Sequence, residues 1–324
     1  MNYYETNGET LEQYTHRLCS LKKEYNLSWS DITDNINKNF DKNLSKDFIR
    51  HEWYGMKKMQ VIEVQKEDGY KKILIMTDLH IPYEREDVLE EIEKNKDVDT
   101  IVFGGDLADC KSCSFFPDFN KPSLEEELIA VHDFIVKVNE IIDPKKTRII
   151  AIRGNHEYRL KRDIMGMHEK HLSKMINPNM LGMIANGFVY YDKNKDIHYK
   201  PIENFEYVDE FYIRLFDNLI VAHPLDFSGV EGSVSLKMAD YFLNEGIAER
   251  GDILVYGHTH KQSSIYVNRR QGLFVIENGC LCQPHEYSKM GKLSFTPQNY
   301  AYTLIKFKEG EKIDKNDIKV VHLK

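Results

Sequence analysis

Over the first sixty positions the apolar residues recur at three- and four-residue steps. Leu11, Tyr14, Leu18, Leu21 and Tyr25 form one stripe, and Trp29, Ile32 and Ile36 continue it after a break where Ser28 can cap a new helix. Phe48, Ile49, Trp53 and Met56 suggest a third helix. Three short amphipathic helices of this kind predict a helical unit over residues 1–60, with a helix-turn-helix as one arrangement. From about residue 60 the period changes. "QVIEVQKEDGYKKILIMTD" reads as a hairpin whose second arm enters a larger domain, 61–324. Short apolar runs then alternate with helical stretches: "KKILIMT", "DTIVFGG", "TRIIAIR", "NLIVAH", "DILVYG" and "LFVIENG" against 86–96, 123–142 and 231–249. That alternation predicts an α/β architecture. The polar, aromatic stretch 177–210 breaks it and reads as an insertion near the site, or equally as an ordinary surface excursion.

Composition narrows the class. The chain has 324 residues, 41% of them hydrophobic, enough for a sizeable core plus an appendage. Its net charge of −8 argues against a surface that coats nucleic acid; bound cations would offset part of the excess carboxylate. Residues 1–60 hold nine Lys or Arg and nine Asp or Glu, a net of zero, so the basic face offered by Lys46, Arg50, Lys57 and Lys58 is local. Nucleic-acid contact there competes with simple packing against a neighbour. No apolar run approaches about 18 residues and no basic-then-apolar leader opens the chain, so the expected location is the cytoplasm. Five cysteines, an odd number, do not read as a disulfide framework. If the loops carrying Cys110, Cys113, Cys280 and Cys282 met, four thiolates could hold a zinc ion; buried, unligated thiols are the plainer reading.

The chemistry stands at the ends of strands. After "ILIMT" comes Asp78-Leu79-His80; after "TIVFG" come Asp106 and Asp109; after "IIAIR" come Asn155, His156 and Glu157. His223 follows "LIVA", and His258 and His260 follow "ILVYG". Residues two apart on an extended chain point the same way, so His258 and His260 converge from one strand end. Open α/β sheets place their ligands at that edge. Core packing prefers apolar residues there, and five metal-capable strand ends in succession are hard to explain by packing alone. Mixed carboxylate, amide and imidazole donors suit a pair of divalent transition ions better than an all-oxygen site, and such pairs suit displacement at phosphorus.

These motifs, D-x-H, G-D-x-x-D, G-N-H-E, a later strand-end histidine and G-H-x-H, in that order, resemble the calcineurin-like metallophosphoesterases over about residues 70–285. The resemblance implies a four-layer αββα sandwich of two mixed β-sheets flanked by helices, here with a helical N-terminal extension. It implies that Asp78, His80 and His260 hold one ion, that Asn155, His223 and His258 hold the second, and that Asp106 bridges them. Mn²⁺ is the expected ion, with Fe, Zn, Ni or Mg as alternatives. His156 would donate a proton to the leaving oxygen with Asp109 orienting it, and a metal-bridging hydroxide would attack in line. Arg153 resembles a phosphate-clamping arginine of protein phosphatases in this superfamily. The segments "GNHEYRLKRD" and "ENGCLCQPHEYSK" resemble a compact subgroup often encoded by bacteriophages, which would put the protein in host cytoplasm.

Each role has a plainer counterpart: Asp109 as a helix cap, Arg153 as a partner of Glu157, His156 as a loop brace. Tyr158, Arg159 and Lys161 would contact substrate phosphate or simply begin a helix. The expected activity is a phosphodiesterase or nuclease acting on DNA or RNA. The alternatives are a phosphomonoesterase (a protein or nucleotide phosphatase), a hydrolase of cyclic or dinucleotide signals, and a non-catalytic scaffold. Membrane association is not expected, and the oligomeric state is left open.

Overall fold

The computed structural model describes residues 9–22, 27–46, 49, 69–114, 120–166, 179–191, 196–230, 232–267, 272–284 and 298–324. The chain divides into two compact units, residues 1–61 and 62–324.

In the first unit, helix α1 (Leu11–Leu21) starts at a Thr10 capping box and α2 (Trp29–Phe40) at Ser28, whose hydroxyl accepts from the Asp31 amide. Their apolar stripes meet in a small core of Tyr14, Leu18, Cys19, Ile32, Ile36 and Ile49. Of the apolar positions of the proposed third helix only Ile49 is described; Phe48, Trp53, Met56, the basic residues Arg50, Lys57 and Lys58, and the first arm of the hairpin lie outside the described residues.

The second unit is the four-layer sandwich. Its larger sheet has the order β13-β12-β1-β2-β3-β6, from β1 (Tyr70–Met76), β2 (Thr100–Phe103), β3 (Arg148–Ile152), β6 (Phe205–Val208), β12 (Ala301–Lys308) and β13 (Ile318–His322). The smaller runs β10-β11-β9-β8-β7, from β7 (Tyr212–Leu215), β8 (Leu219–Ala222), β9 (Ile253–Tyr256), β10 (Gln262–Val267) and β11 (Leu273–Asn278). Strands β1, β2, β3 and β6 are parallel; β12 pairs antiparallel with β1, and β13 antiparallel with β12.

Period-two alternation assigns each face. Ile73 and Ile75 of β1, Val102 of β2 and Ile150 and Ile152 of β3 meet Val221, Val255 and Ile276 between the sheets. Leu74 and Met76 point the other way, onto α3 (Val88–Lys94) and α4 (Leu124–Ile141) through Ile92, Val131 and Ile135. On the outer face of the smaller sheet, Ile220, Leu254 and Val275 meet Val234, Met238 and Phe242 of α7 (Ser233–Asn244). With both faces covered, β2, β8 and β9 are buried along their whole length, which is why they read as continuous apolar runs.

Helices α5 (Glu157–Gly166) and α6 (Met180–Asn186) precede a two-stranded hairpin, β4 (Phe188–Tyr191) and β5 (Asp196–Tyr199). The stretch 177–210 is therefore not one insertion. Its last strand, β6, completes the large sheet by pairing in parallel with β3, from Ile149 opposite Phe205 to Ile152 opposite Val208. No helix among the described residues is long and apolar enough to cross a membrane.

Candidate metal centre

Five loops leave the C-terminal ends of β1, β2, β3, β8 and β9 and meet at one place. Their backbones are unusual. Among the described non-glycine residues with positive φ are Asp78 (55°), His80 (52°), Asp106 (50°), His258 (86°) and His260 (57°). Left-handed backbone at such residues costs on the order of 1–3 kcal/mol each and persists where surroundings over-determine it, most often at functional sites. Cross-loop bonds do that here. The Asp78 amide donates to Gly105 O (3.1 Å), His80 to Asp106 O (2.9 Å), Leu281 to Asp78 O (3.1 Å) and Asn299 to His260 O (2.8 Å). The glycines of the motifs are there for room: a β-carbon on Gly154 would overlap the Asp106 carboxylate, and one on Gly257 would overlap that of Asp78.

The structure brings all seven candidate ligands together, in two groups that share Asp106. In the first, His260 Nε2 lies 3.3 Å from Asp78 Oδ1 and 3.2 Å from His80 Nε2, which is 3.7 Å from Asp106 Oδ2. In the second, His223 Nε2 lies 3.3 Å from Asp106 Oδ2 and 3.2 Å from Asn155 Oδ1, and His258 Nδ1 lies 2.7 Å from that same amide oxygen. Donor atoms of Asp106, His223 and His258 are all within 4.8 Å of one another, as are those of His80, Asp106 and His156. His223 Nε2 and Asp78 Oδ1, 3.9 Å apart, join the groups.

Outer partners fix the rings: His80 Nδ1–H donates to Asp109 Oδ1 (3.0 Å) and His223 Nδ1–H to the Gly104 carbonyl (2.9 Å), which turns each Nε2 inward. Charge is concentrated accordingly. Burial alone would lower His223, but the Asp106 and Asp78 carboxylates outweigh it and hold the imidazole up at about 9. His258, buried and beside His223, is pushed down to about 4. Asp106 is held well below the usual carboxylate range, burial being outweighed by His156 and His223. A proton retained by His223 against two buried carboxylates occupies the charge a cation would supply. With imidazole, carboxylate and amide donors converging, the residues fit divalent metal ions.

His156 packs edge-on to His80, with ring centroids 4.3 Å apart. Its Nδ1 lies 2.9 Å from Asp109 Oδ1 and 2.7 Å from the Asp109 carbonyl oxygen, so the His–Asp pair is present. Asp109 is shared: His80 bonds the same Oδ1. Arg159 Nη2 lies 2.6 Å from His156 Nε2, and Arg159 Nη1 donates to the Asp109 carbonyl (3.0 Å). Arg153 does not pair with Glu157. It bonds Asp209 (3.2 Å), which also receives Lys161 (3.0 Å), and its guanidinium lies over the Tyr158 ring.

Sequence reading missed Asp209 and the work of Glu157. Glu157 Oε2 accepts from the amides of Gly154 (2.8 Å) and Asp106 (3.2 Å), and Oε1 accepts from Ala108 (3.0 Å). One carboxylate thus stitches the β2 and β3 loops together, and the motif G-N-H-E contained the residue without revealing the bonds. The four cysteines do not gather into one donor group among the described residues; Cys282 instead joins His80 and His260, with its Sγ 3.8 Å from His260 Nδ1. A cavity of about 470 Å³ opens beside the centre and shares Gly154 and His223 with it.

Comparison with known proteins gives two family matches, calcineurin-like phosphoesterase over residues 71–262 and the YonJ N-terminal domain over residues 3–68. No curated protein sequence is significantly similar to the chain. Similar solved structures include Vacuolar Protein Sorting 29 from Cryptosporidium parvum, at 14% identity over 79% of this chain and 98% of that one (TM-score 0.38). A novel archaeal phosphodiesterase matches at 19% identity over 78% of this chain and 99% of that one (TM-score 0.33). The E. coli phosphoesterase YfcE matches at 16% identity over 72% of this chain and 91% of that one (TM-score 0.31). With the family model spanning more than half of the chain and the site residues gathered at one sheet edge, the chain belongs to the calcineurin-like phosphoesterase family.

Proposed function

We propose that the protein is a dimetal phosphodiesterase acting on nucleic acid. The observation that carries this reading is the pair of donor groups sharing one carboxylate, Asp106. In this reading Asp78, His80 and His260 would hold one ion, Asn155, His223 and His258 would hold the other, and Asp106 would be shared between them. When bound, two such ions lower the pKa of a coordinated water and neutralise charge on the phosphoryl oxygens. We take Mn²⁺ as the working ion.

The chain's own groups do the rest. Asp109 orients His80 and His156 at once and leaves His156 Nε2 3.7 Å from Asp106 Oδ2; once released by Arg159 and protonated from solvent, that nitrogen would give its proton to the leaving oxygen. Arg159, bonded to that Nε2, turns to the phosphoryl oxygens as His156 becomes the donor. A diester carries organic groups on both sides of phosphorus, and the cavity next to His223 gives one of them a place. Arg153, which lines the same cavity, favours a second reading, a phosphomonoesterase whose substrate anion it clamps.

The rates on bis-nitrophenyl phosphate and nitrophenyl phosphate in Mn²⁺ separate the readings, with Asp106→Asn as the control for contaminating enzymes. Diester preference abolished in the control is expected. Monoester preference sinks the nuclease reading, and no hydrolysis of either turns attention to a scaffold.

A further inference from the structure

The cavity beside the metal centre lies between the β3 and β8 loops and α7, and its chemistry differs from that of the centre. Tyr158, Phe211, Met238 and Tyr241 give it an apolar, largely aromatic wall. Phe211 and Tyr241 stand with ring centroids 6.3 Å apart and planes inclined at 56°. Phe211 is anchored against Tyr212 and Phe242, at 5.0 and 6.0 Å, and Tyr212 and Phe242 are buried in the core. That side of the wall is therefore rigid. Tyr241 is 45% exposed, a ring held at the mouth rather than packed away.

The polar groups sit at the edges. Arg153, with its guanidinium 5.4 Å from the Tyr158 ring centroid, stands towards the centre. On the outer rim Lys237 and Asp226 are 3.1 Å apart, with side chains 58% and 61% exposed. An exposed pair of this kind contributes little and opens readily, freeing one donor and one acceptor. At about 470 Å³ the space is within the range that encloses a small organic ligand. A planar group with an apolar face and a polar edge matches it: one face goes to the wall of rings and the edge to Lys237 and Asp226.

We propose that this cavity receives one unstacked nucleobase of the substrate whose phosphate lies at the metal centre. The inference rests on the phosphodiesterase reading and specifies which nucleic acid suits it. A base inside a duplex is covered on both faces by its neighbours and cannot reach the rings; a base in a single strand, at a frayed end or in a nucleotide can. Single strands and free ends are therefore the preferred substrates. Stacking on aromatic side chains tolerates any base, so little sequence preference accompanies it.

The test is calorimetric titration of deoxyadenosine monophosphate and of deoxyribose 5-phosphate into the full chain loaded with Mn²⁺. The two share the phosphate and sugar and differ by the base. Stacking predicts about tenfold or more tighter binding of the nucleotide. Tyr241→Ala should shrink that ratio towards one and Tyr241→Trp should keep it, which separates loss of stacking from damage to the fold. Equal affinities in the unaltered protein overturn the proposal, and an undiminished ratio in Tyr241→Ala overturns the assignment to this cavity. The readout does not depend on turnover. Base-dependent binding without diester hydrolysis would keep the pocket and sink the phosphodiesterase reading; diester hydrolysis with equal affinities would do the reverse.

Discussion

The backbone amide of His258 lies 2.9 and 3.0 Å from the two carboxylate oxygens of Asp78, joining loops 180 residues apart in the chain. The bond fixes where Asp78 can point, and it leaves Asp78 Oδ1 facing His260 Nε2 at 3.3 Å. One end of the candidate metal centre is thus positioned by main chain from the other sheet of the sandwich.

That bond is possible because position 257 has no side chain. A β-carbon there would overlap Asp78 Oδ2 and crowd Thr77. Gly257→Ala is expected to cost about 1–3 kcal/mol, as overpacking in a filled site does. It should also lose the ion proposed at Asp78. Chemical denaturation and metal analysis check the two parts, and a variant with unchanged metal content would contradict the role given to this contact.

Glu157 predicts a separate effect on stability. Its two oxygens accept three backbone amides, from Asp106, Ala108 and Gly154, while buried. Gln in its place offers one oxygen and sets an NH₂ against an amide N–H. At least one buried donor goes unsatisfied, and Glu157→Gln is expected to destabilise the protein by about 1–3 kcal/mol. Urea unfolding with the same m-value as the parent would measure this, and an unchanged midpoint would mean the bonds are replaceable.

Metal binding should be steeply pH-dependent, with a definite sign. In the metal-free centre the carboxylates of Asp106 and Asp78 outweigh burial to hold His223 at about 9. His260 is also raised well above its ordinary value, burial being outweighed by Cys280 and Asp78. Each ion must therefore displace a proton. Below about pH 9 the affinity at His223 should rise about tenfold per pH unit, because one proton leaves per ion bound, and above it the rise should flatten. Calorimetry in buffers of different ionisation enthalpy counts the protons released. Binding without proton release at pH 7 would contradict this electrostatic picture.

What could be read in the sequence follows from how local each feature is. That Asp78, His80, Asp106, Asn155, His223, His258 and His260 gather at one place was legible because each sits within a few positions of the end of an apolar strand. Helices α1, α2, α3, α4 and α7 were legible from their stripes and flanking caps, as at α4, where Ser123 makes a capping box with Glu126; α6, inside 177–210, was not. Glu157 and Asp209 act through partners far off in sequence, Glu157 on amides as many as 51 residues away and Asp209 on Arg153 56 residues away. No local pattern announces such bonds. Strand β6 was missed for a related reason. "FEYV" is short and only partly buried, and its place at the sheet edge is decided by pairing with β3.

The most direct test of the central claim is the number of metal ions bound per chain, measured by elemental analysis after loading with Mn²⁺ and removal of excess, in the parent and in Asp106→Asn. If the two donor groups share Asp106 as proposed, the parent binds two ions and the variant is weakened at both sites together. One ion in the parent, or loss of only one in the variant with the other held at unchanged affinity, would contradict a dimetal centre bridged by Asp106.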